Sequence, residues 1–250
     1  MRFTMRRYYP FGGSSAVLVT GALRSAEDWD GLRTEPRETF FSISPVREEW
    51  LRHCTGGAEK DGTGNLTARA DAIVAVVREL RLTGIESFGV GGAYLEFNLK
   101  SKAPDLHLAV SDVGDGWRKR LSAVFHECDE IRVLDLTRDP MPTHPERLYL
   151  LHRVETSFSN REWKRVFFRL AQAGAEYVLF VPSGLLSVEY WWREVKALAA
   201  RQLRGTRSSF AGYVRNRDGL QALWRREYSL IAERDVGGLH GFLLRRSSSA

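Results

Sequence analysis

The stretch Ile85-Glu-Ser-Phe-Gly-Val-Gly-Gly-Ala-Tyr-Leu-Glu96, followed by Leu106-His-Leu-Ala-Val-Ser-Asp112, sets a glycine turn after one apolar run and a carboxylate after the next. Glycines let the backbone approach a ligand at φ values other residues avoid, and an acid about twenty residues on can accept hydrogen bonds from two ribose hydroxyls. This is the pattern of a nucleoside cradle. The Gly-x-Gly-Gly run by itself also suits a plain turn.

Working outward, Leu66, Ala70, Ile73, Val74, Val77 and Leu80 recur at helical spacing after Asn65, a suitable N-cap, and Gly84 is placed to end that helix. Short apolar runs follow at Ile85–Val90, Leu106–Ser111, Ile131–Leu136, Leu148–His152 and Tyr177–Pro182. Between and after them, helices are expected over Ala93–Ser101, Gly116–His126, Asn160–Ala173, Leu186–Leu203 and Asn216–Arg226. Parallel strands need such crossovers, which cover both faces of the sheet. Tyr228–Glu233 and Leu239–Arg245 then flank Asp235-Val-Gly-Gly238, a hairpin-type turn. The expected fold is therefore α/β: a doubly wound, mostly parallel seven-stranded sheet closed by an antiparallel hairpin. Residues 1–64, with turn formers and helical patches at Ser25–Arg33 and Pro45–His53, read as an irregular and helical N-terminal cap. Residues 65–246 form the main domain, and 247–250 a disordered tail.

The 250 residues, 43% hydrophobic, suffice for a full core. Lys and Arg number 37 against 31 acids, a net charge of +6. The basic residues are scattered among acids in no nucleic-acid-binding pattern, so no nucleic-acid partner is expected. Cys54 and Cys128 have neither disulfide-framework nor zinc spacing, and His107, His126, His144 and His240 have no metal-ligand spacing, so no metal is expected. No run approaches the ~18 apolar residues of a membrane span, and a reducing, cytoplasmic setting is expected.

The five βα units, the glycine turn, Asp112 ending the second strand, Asp135 in Val133-Leu-Asp-Leu-Thr137 ending the third, and the closing hairpin together resemble the class I S-adenosylmethionine-dependent methyltransferases over roughly residues 65–246. The resemblance implies S-adenosylmethionine as cofactor and S-adenosylhomocysteine as product. It implies a cofactor loop at Gly89, Val90, Gly91, Gly92 and Ala93, a ribose ligand in Asp112 with Val113 beside it, and an adenine edge at Asp135 and Leu136. The end of Leu148-Tyr-Leu-Leu-His-Arg153 would face the transferable methyl, which makes His152 both a cofactor neighbour and the natural base. Arg153, Glu155, Tyr190 and Trp191 would then line the acceptor. Arg207, Arg215 and Arg217 are further candidates for gripping an acidic acceptor group, and Trp50 and Phe40-Phe41 for a lid or for ordinary core.

Two positions depart from the family pattern: Ser87, where an acid is usual, and Ala93, where a third glycine is common. Glu86 cannot replace the missing acid, because a one-residue shift turns a strand side chain to the other face. Ala93 is harmless if its backbone stays right-handed. The leading reading is methyl transfer to an oxygen of a small metabolite or sugar-containing acceptor. No Asn-Pro-Pro-Tyr-type motif follows the fourth strand, which argues against an amide nitrogen. Two alternatives stay open: a non-catalytic binding or regulatory subunit of the same fold, and a nicotinamide-dependent oxidoreductase.

Overall fold

The computed structural model describes residues 17–20, 26–34, 42–55, 66–188, 192, 196 and 212–247. In chain order its elements are β1 (Val17–Thr20), α1 (Ala26–Thr34), α2 (Arg47–Thr55), α3 (Leu66–Glu79), β2 (Gly84–Phe88), α4 (Tyr94–Lys102), β3 (His107–Asp112) and α5 (Asp115–Val124). These are followed by β4 (Glu130–Val133), β5 (Arg147–His152), a 3-10 turn at Glu155–Ser157, α6 (Asn160–Gln172), β6 (Tyr177–Val181), β7 (Gly212–Arg215), α7 (Arg217–Trp224), β8 (Tyr228–Val236) and β9 (Leu239–Arg246).

Seven strands form one sheet in the order β4-β3-β2-β5-β6-β9-β8. The first five are parallel, and β9 runs antiparallel to both β6 and β8. Chain order reverses at β2, which pairs with β3 on one side and β5 on the other, so the carboxyl ends of β2 and β5 form the switch point at which open α/β sheets bind ligands. Strand β5 shows how the two faces are filled. Leu148 and Leu150 enter the core under α3, α4 and α5, while Tyr149 and Leu151 enter the core under α6 and α7. Helix α6 begins with a capping box between Ser159 and Glu162 and buries Trp163, Val166, Phe167 and Leu170 at helical spacing.

Two local expectations are corrected, and two contacts were not anticipated. Gly84 does not end α3; Arg81 takes the left-handed conformation there (φ 56), and Gly84 opens β2 because a Cβ would lie 2.4 Å from the His107 carbonyl oxygen. Strand β4 stops at Val133, so Leu134–Leu136 leave the sheet. Ser247, the one described residue of the expected tail, donates its N–H to the Glu227 carbonyl at 2.9 Å, and 248–250 fall outside the described residues. A separate antiparallel pair, β1 with β7, was not foreseen. Glycine 212 makes its close approach possible, since a Cβ there would lie 2.3 Å from the Thr156 carbonyl oxygen. Asn65 and most of the helix expected over Leu186–Leu203 fall outside the described residues, as do Phe40, Phe41 and Arg207. Among the described residues no helix is long and apolar enough to cross a membrane.

Candidate cofactor and acceptor site

The turn after β2 is held in an unusual shape by named contacts. Gly89 (φ 66), Gly91 (φ 59) and Ala93 (φ 56) are all left-handed. The first two tolerate this freely. A Cβ on Gly89 would lie 2.4 Å from the Val154 side chain. Ala93 is the exception, for a left-handed L-residue carries about 1–2 kcal/mol of strain; its backbone is not in the right-handed region that would have made the substitution neutral. Two buried indoles clamp the turn from outside: Trp117 Nε1 donates to the Gly91 carbonyl at 2.7 Å and Trp50 Nε1 to the Gly92 carbonyl at 2.9 Å. Trp50 is therefore core and clamp rather than lid.

Asp112, at the end of β3, closes the cradle. Its Oδ2 accepts from the Gly91 N–H and its Oδ1 from the Val113 N–H, both at 2.8 Å. Helix α5 starts immediately after, from Gly114 (φ 96), which has no side chain to cap it. Asp30 of α1 does so instead, accepting from the Trp117 N–H at 2.7 Å. Gly114 and Gly116 leave the room this needs, since Cβ atoms there would lie 2.2 and 2.9 Å from the Asp30 carboxylate. Arg120 fastens the same segment by donating to the carbonyls of Thr34 (2.8 Å) and Ile43 (2.9 Å). One turn beyond Asp30, Arg33 lays its guanidinium against Gly91, where a Cβ would lie 2.8 Å from Nη2. Burial lowers the proton affinity of Arg33, and the nearby Asp112 charge opposes that effect.

The acid absent from position 87 is present in space. Ser87 Oγ donates to Glu96 Oε1 at 2.7 Å, and Glu96, in the first turn of α4, is 2% exposed beneath the glycine turn. Glu86 points the other way, as strand alternation requires, into ion pairs with Arg132 (3.0 Å) and Arg147 (2.5 Å). Burial pushes the Glu96 carboxyl up to about 7 and does the same to Glu155. Each acid therefore binds its proton more tightly in the fold than in the unfolded chain, and each weakens the fold as pH rises from about 4.5 to about 7. His152 acts oppositely: the fold holds it neutral, so it weakens the fold as pH drops below its ordinary 6.5. The Glu96→Gln chain should thus gain on the wild type steadily between those limits, by on the order of 3 kcal/mol at pH 7. Urea melts at several pH values test this, and a difference that stays constant with pH would refute it.

The second cluster lies where β5 ends. His152 faces the α3 side of the sheet, and its Nε2 is enclosed with no partner among the described residues. Burial, then the charges of Arg69 and Arg153, hold its imidazole well below the usual range. Arg153 is left-handed (φ 58), and its N–H donates to the Val181 carbonyl at 2.8 Å. Glu155 is buried, accepting from the Ser183 N–H at 2.7 Å. Arg215 is scaffold, not a surface grip: fully buried, it donates to Asn160 Oδ1 (2.7 Å) and to the carbonyls of Glu155 (2.7 Å) and Phe158 (2.6 Å). Arg217 pairs with Glu233.

The structure thus gathers Gly89, Val90, Gly91, Gly92, Ala93, Asp112 and Val113 into one cradle, and His152, Arg153 and Glu155 at the neighbouring strand end. Asp135 and Leu136 follow β4 at the sheet edge. Asp135 Oδ1 accepts from the Thr137 N–H (2.8 Å) and Oγ1 (2.6 Å), and Leu136 is buried in the core on the α6 side. Tyr190 and Trp191 lie outside the described residues. Asp30, Arg33, Glu96 and Trp117 pack around this candidate cradle and Arg69 acts on His152; the sequence singled out none of these five.

No family model and no curated protein matches this sequence. Many solved structures do resemble its fold. Human N-acetylserotonin methyltransferase, solved with S-adenosylmethionine, aligns with a TM-score of 0.57 at 17% identity over 86% of this chain and 61% of its own. An O-methyltransferase family 2 protein from Planctomyces limnophilus, solved with apigenin, aligns at 0.51 and 13% over 72% and 61%. A mitomycin 7-O-methyltransferase aligns at 0.54 and 16% over 79% and 60%. The chain has the class I methyltransferase fold. It spans about three-fifths of the length of these three proteins.

Proposed function

We propose that this chain binds S-adenosylmethionine in the Gly89–Val113 cradle and transfers its methyl group to an oxygen of a small acceptor. The observation that carries the reading is Asp112, whose carboxylate is fixed against the glycine turn at the switch point of the strand order. Each carboxylate oxygen keeps a lone pair beyond the one N–H it accepts, enough for two ribose hydroxyls. Gly89 and Gly91 carry no side chain of their own, but Val154 and the Arg33 guanidinium lie where their Cβ atoms would sit, so the fit to the group rests on the Asp112 carboxylate and the turn it holds.

When bound, the cofactor supplies an electrophilic methyl on a sulfonium. The chain's part is to position, exclude water and manage one proton. Asp112 and the turn would hold the nucleoside. His152, neutral at working pH, would accept a hydrogen bond from the acceptor hydroxyl at Nε2 and take its proton as the oxygen attacks. His152→Gln should then lower kcat by about a hundredfold while S-adenosylhomocysteine affinity changes by less than about threefold. A collapse of binding would instead make His152 a cofactor contact.

Calorimetry with S-adenosylmethionine and S-adenosylhomocysteine tests the whole reading, and absence of binding by the folded chain would overturn it. Arg33 favours a second reading, a non-catalytic binding subunit, because its guanidinium lies on the cradle beside Gly91. There the wild type binds neither compound and Arg33→Ala admits them. The closing antiparallel hairpin argues against the nicotinamide alternative, and the absence of an NADH fluorescence response would remove it. A soluble, cytoplasmic setting and a small-molecule or glycan-type acceptor belong to the same proposal.

A further inference from the structure

Arg69 sits in the first turn of α3 and is 3% exposed, yet its Nε and Nη1 have no hydrogen-bond partner among the described residues. A buried guanidinium with two nitrogens left without partners is costly. Its position adds to the anomaly, because the first turn of a helix repels cations and α3 has no acid there. The β8–β9 turn presses Gly237 onto the Arg69 stem, where a Cβ would lie 2.7 Å from Cγ, so the side chain is held in place. The charges that act on it and on His152 are cationic: Arg153 on Arg69, and both arginines on His152. Glu155 does act on Arg153, but its carboxylate already accepts from Ser183. Arg153 adds left-handed strain at the same strand end, the kind of local cost that persists at functional sites.

The geometry points to an anion site formed by Arg69 and Arg153 around the enclosed Nε2 of His152, charged to hold a carboxylate of the methyl acceptor beside the hydroxyl to be methylated. A planar carboxylate suits a guanidinium in two-point contact and would be drawn further by the α3 N-terminus. Burial is the main cause of the suppressed basicity of His152, with Arg69 and Arg153 next; the anion would neutralise these two cations, so a correctly charged acceptor would help to activate its own base. The assignment to the acceptor rests on the methyl-transfer reading, whereas the anion site itself does not.

The test uses the full chain, with sodium acetate and uncharged acetamide as probes at rising concentration and constant ionic strength. Acetate should raise the unfolding temperature more than acetamide does. Arg69→Met should raise the unfolding temperature of the ligand-free chain, by removing a buried charge with two unsatisfied nitrogens, and abolish the acetate response. Arg153→Gly, which suits the left-handed backbone, should keep the fold and weaken that response. S-adenosylhomocysteine affinity should stay within about threefold in both variants. No acetate effect beyond acetamide, or a ligand-free chain destabilised by Arg69→Met, overturns the site. A loss of S-adenosylhomocysteine affinity above about tenfold in Arg69→Met, with decarboxylated S-adenosylmethionine binding both chains equally, assigns the carboxylate to the cofactor and overturns the acceptor assignment. A wild type that responds to acetate but binds no S-adenosylhomocysteine keeps the anion site and removes the methyl-transfer reading.

Discussion

Asp112→Ala is expected to lower S-adenosylhomocysteine affinity by about ten- to a hundredfold, the equivalent of losing charge-assisted hydrogen bonds worth ~1.5–3 kcal/mol. Two losses combine. The ribose would lose its acceptor, and the Gly91 and Val113 N–H groups would lose theirs. The second loss loosens the turn itself, so some affinity disappears through shape as well as direct contact. Arg33 would also be left with a weaker counter-charge beside it. Asp112→Asn separates these effects, because its amide keeps one acceptor oxygen and the volume but turns a donor toward the other N–H; an intermediate affinity is expected. Calorimetry decides, and affinity equal to wild type in the alanine variant would dismiss Asp112 as the ribose ligand.

Trp163→Ala should destabilise the fold by about 3–5 kcal/mol, a large part of the ~5–15 kcal/mol that typically separates folded from unfolded domains. The indole is fully buried, with Phe158, Phe167 and Phe180 at ring-centre distances of 5.4, 5.7 and 5.2 Å. Its Nε1 donates to the Glu155 carbonyl at 3.1 Å, so it also steadies the 3-10 turn beside Arg153. Trp163→Phe keeps part of the packing but removes that hydrogen bond and the volume of the five-membered ring; Arg215 still donates to the same carbonyl, so a smaller loss of about 1–3 kcal/mol is expected. Urea denaturation of the two variants gives the comparison. Equal, small losses in both would mean that the aromatic cluster contributes little.

Most of the sheet was legible because it depends on local signals. Each parallel strand is a short apolar run bounded by turn formers, and the hairpin announces itself by Gly237-Gly238. Asp112 was legible for the same reason: it ends a run at a fixed distance from the glycines. What escaped depends on contacts between distant segments. Nothing about Ser87 signals that Glu96, nine positions on and on a helix, will turn back to meet its hydroxyl. Arg69 lies in an amphipathic helix as an ordinary polar residue, and only its burial makes it exceptional. Ala93 could be flagged as a departure, but its left-handed backbone follows from the turn as a whole. The β1–β7 pair was missed because four-residue strands carry almost no periodicity.

The cap that Asp30 places on α5 joins two parts of the chain 87 positions apart. A helix start that depends on a remote residue behaves as a latch: if α1 lifts away, the Trp117 N–H loses its acceptor and Arg33 leaves Gly91 in the same movement. Linkage of this kind is reciprocal. Whatever a cradle ligand gains or loses from α1, α1 gains or loses from the ligand, so protease cutting within residues 26–34 should report occupancy of a site built mainly from residues 89–113.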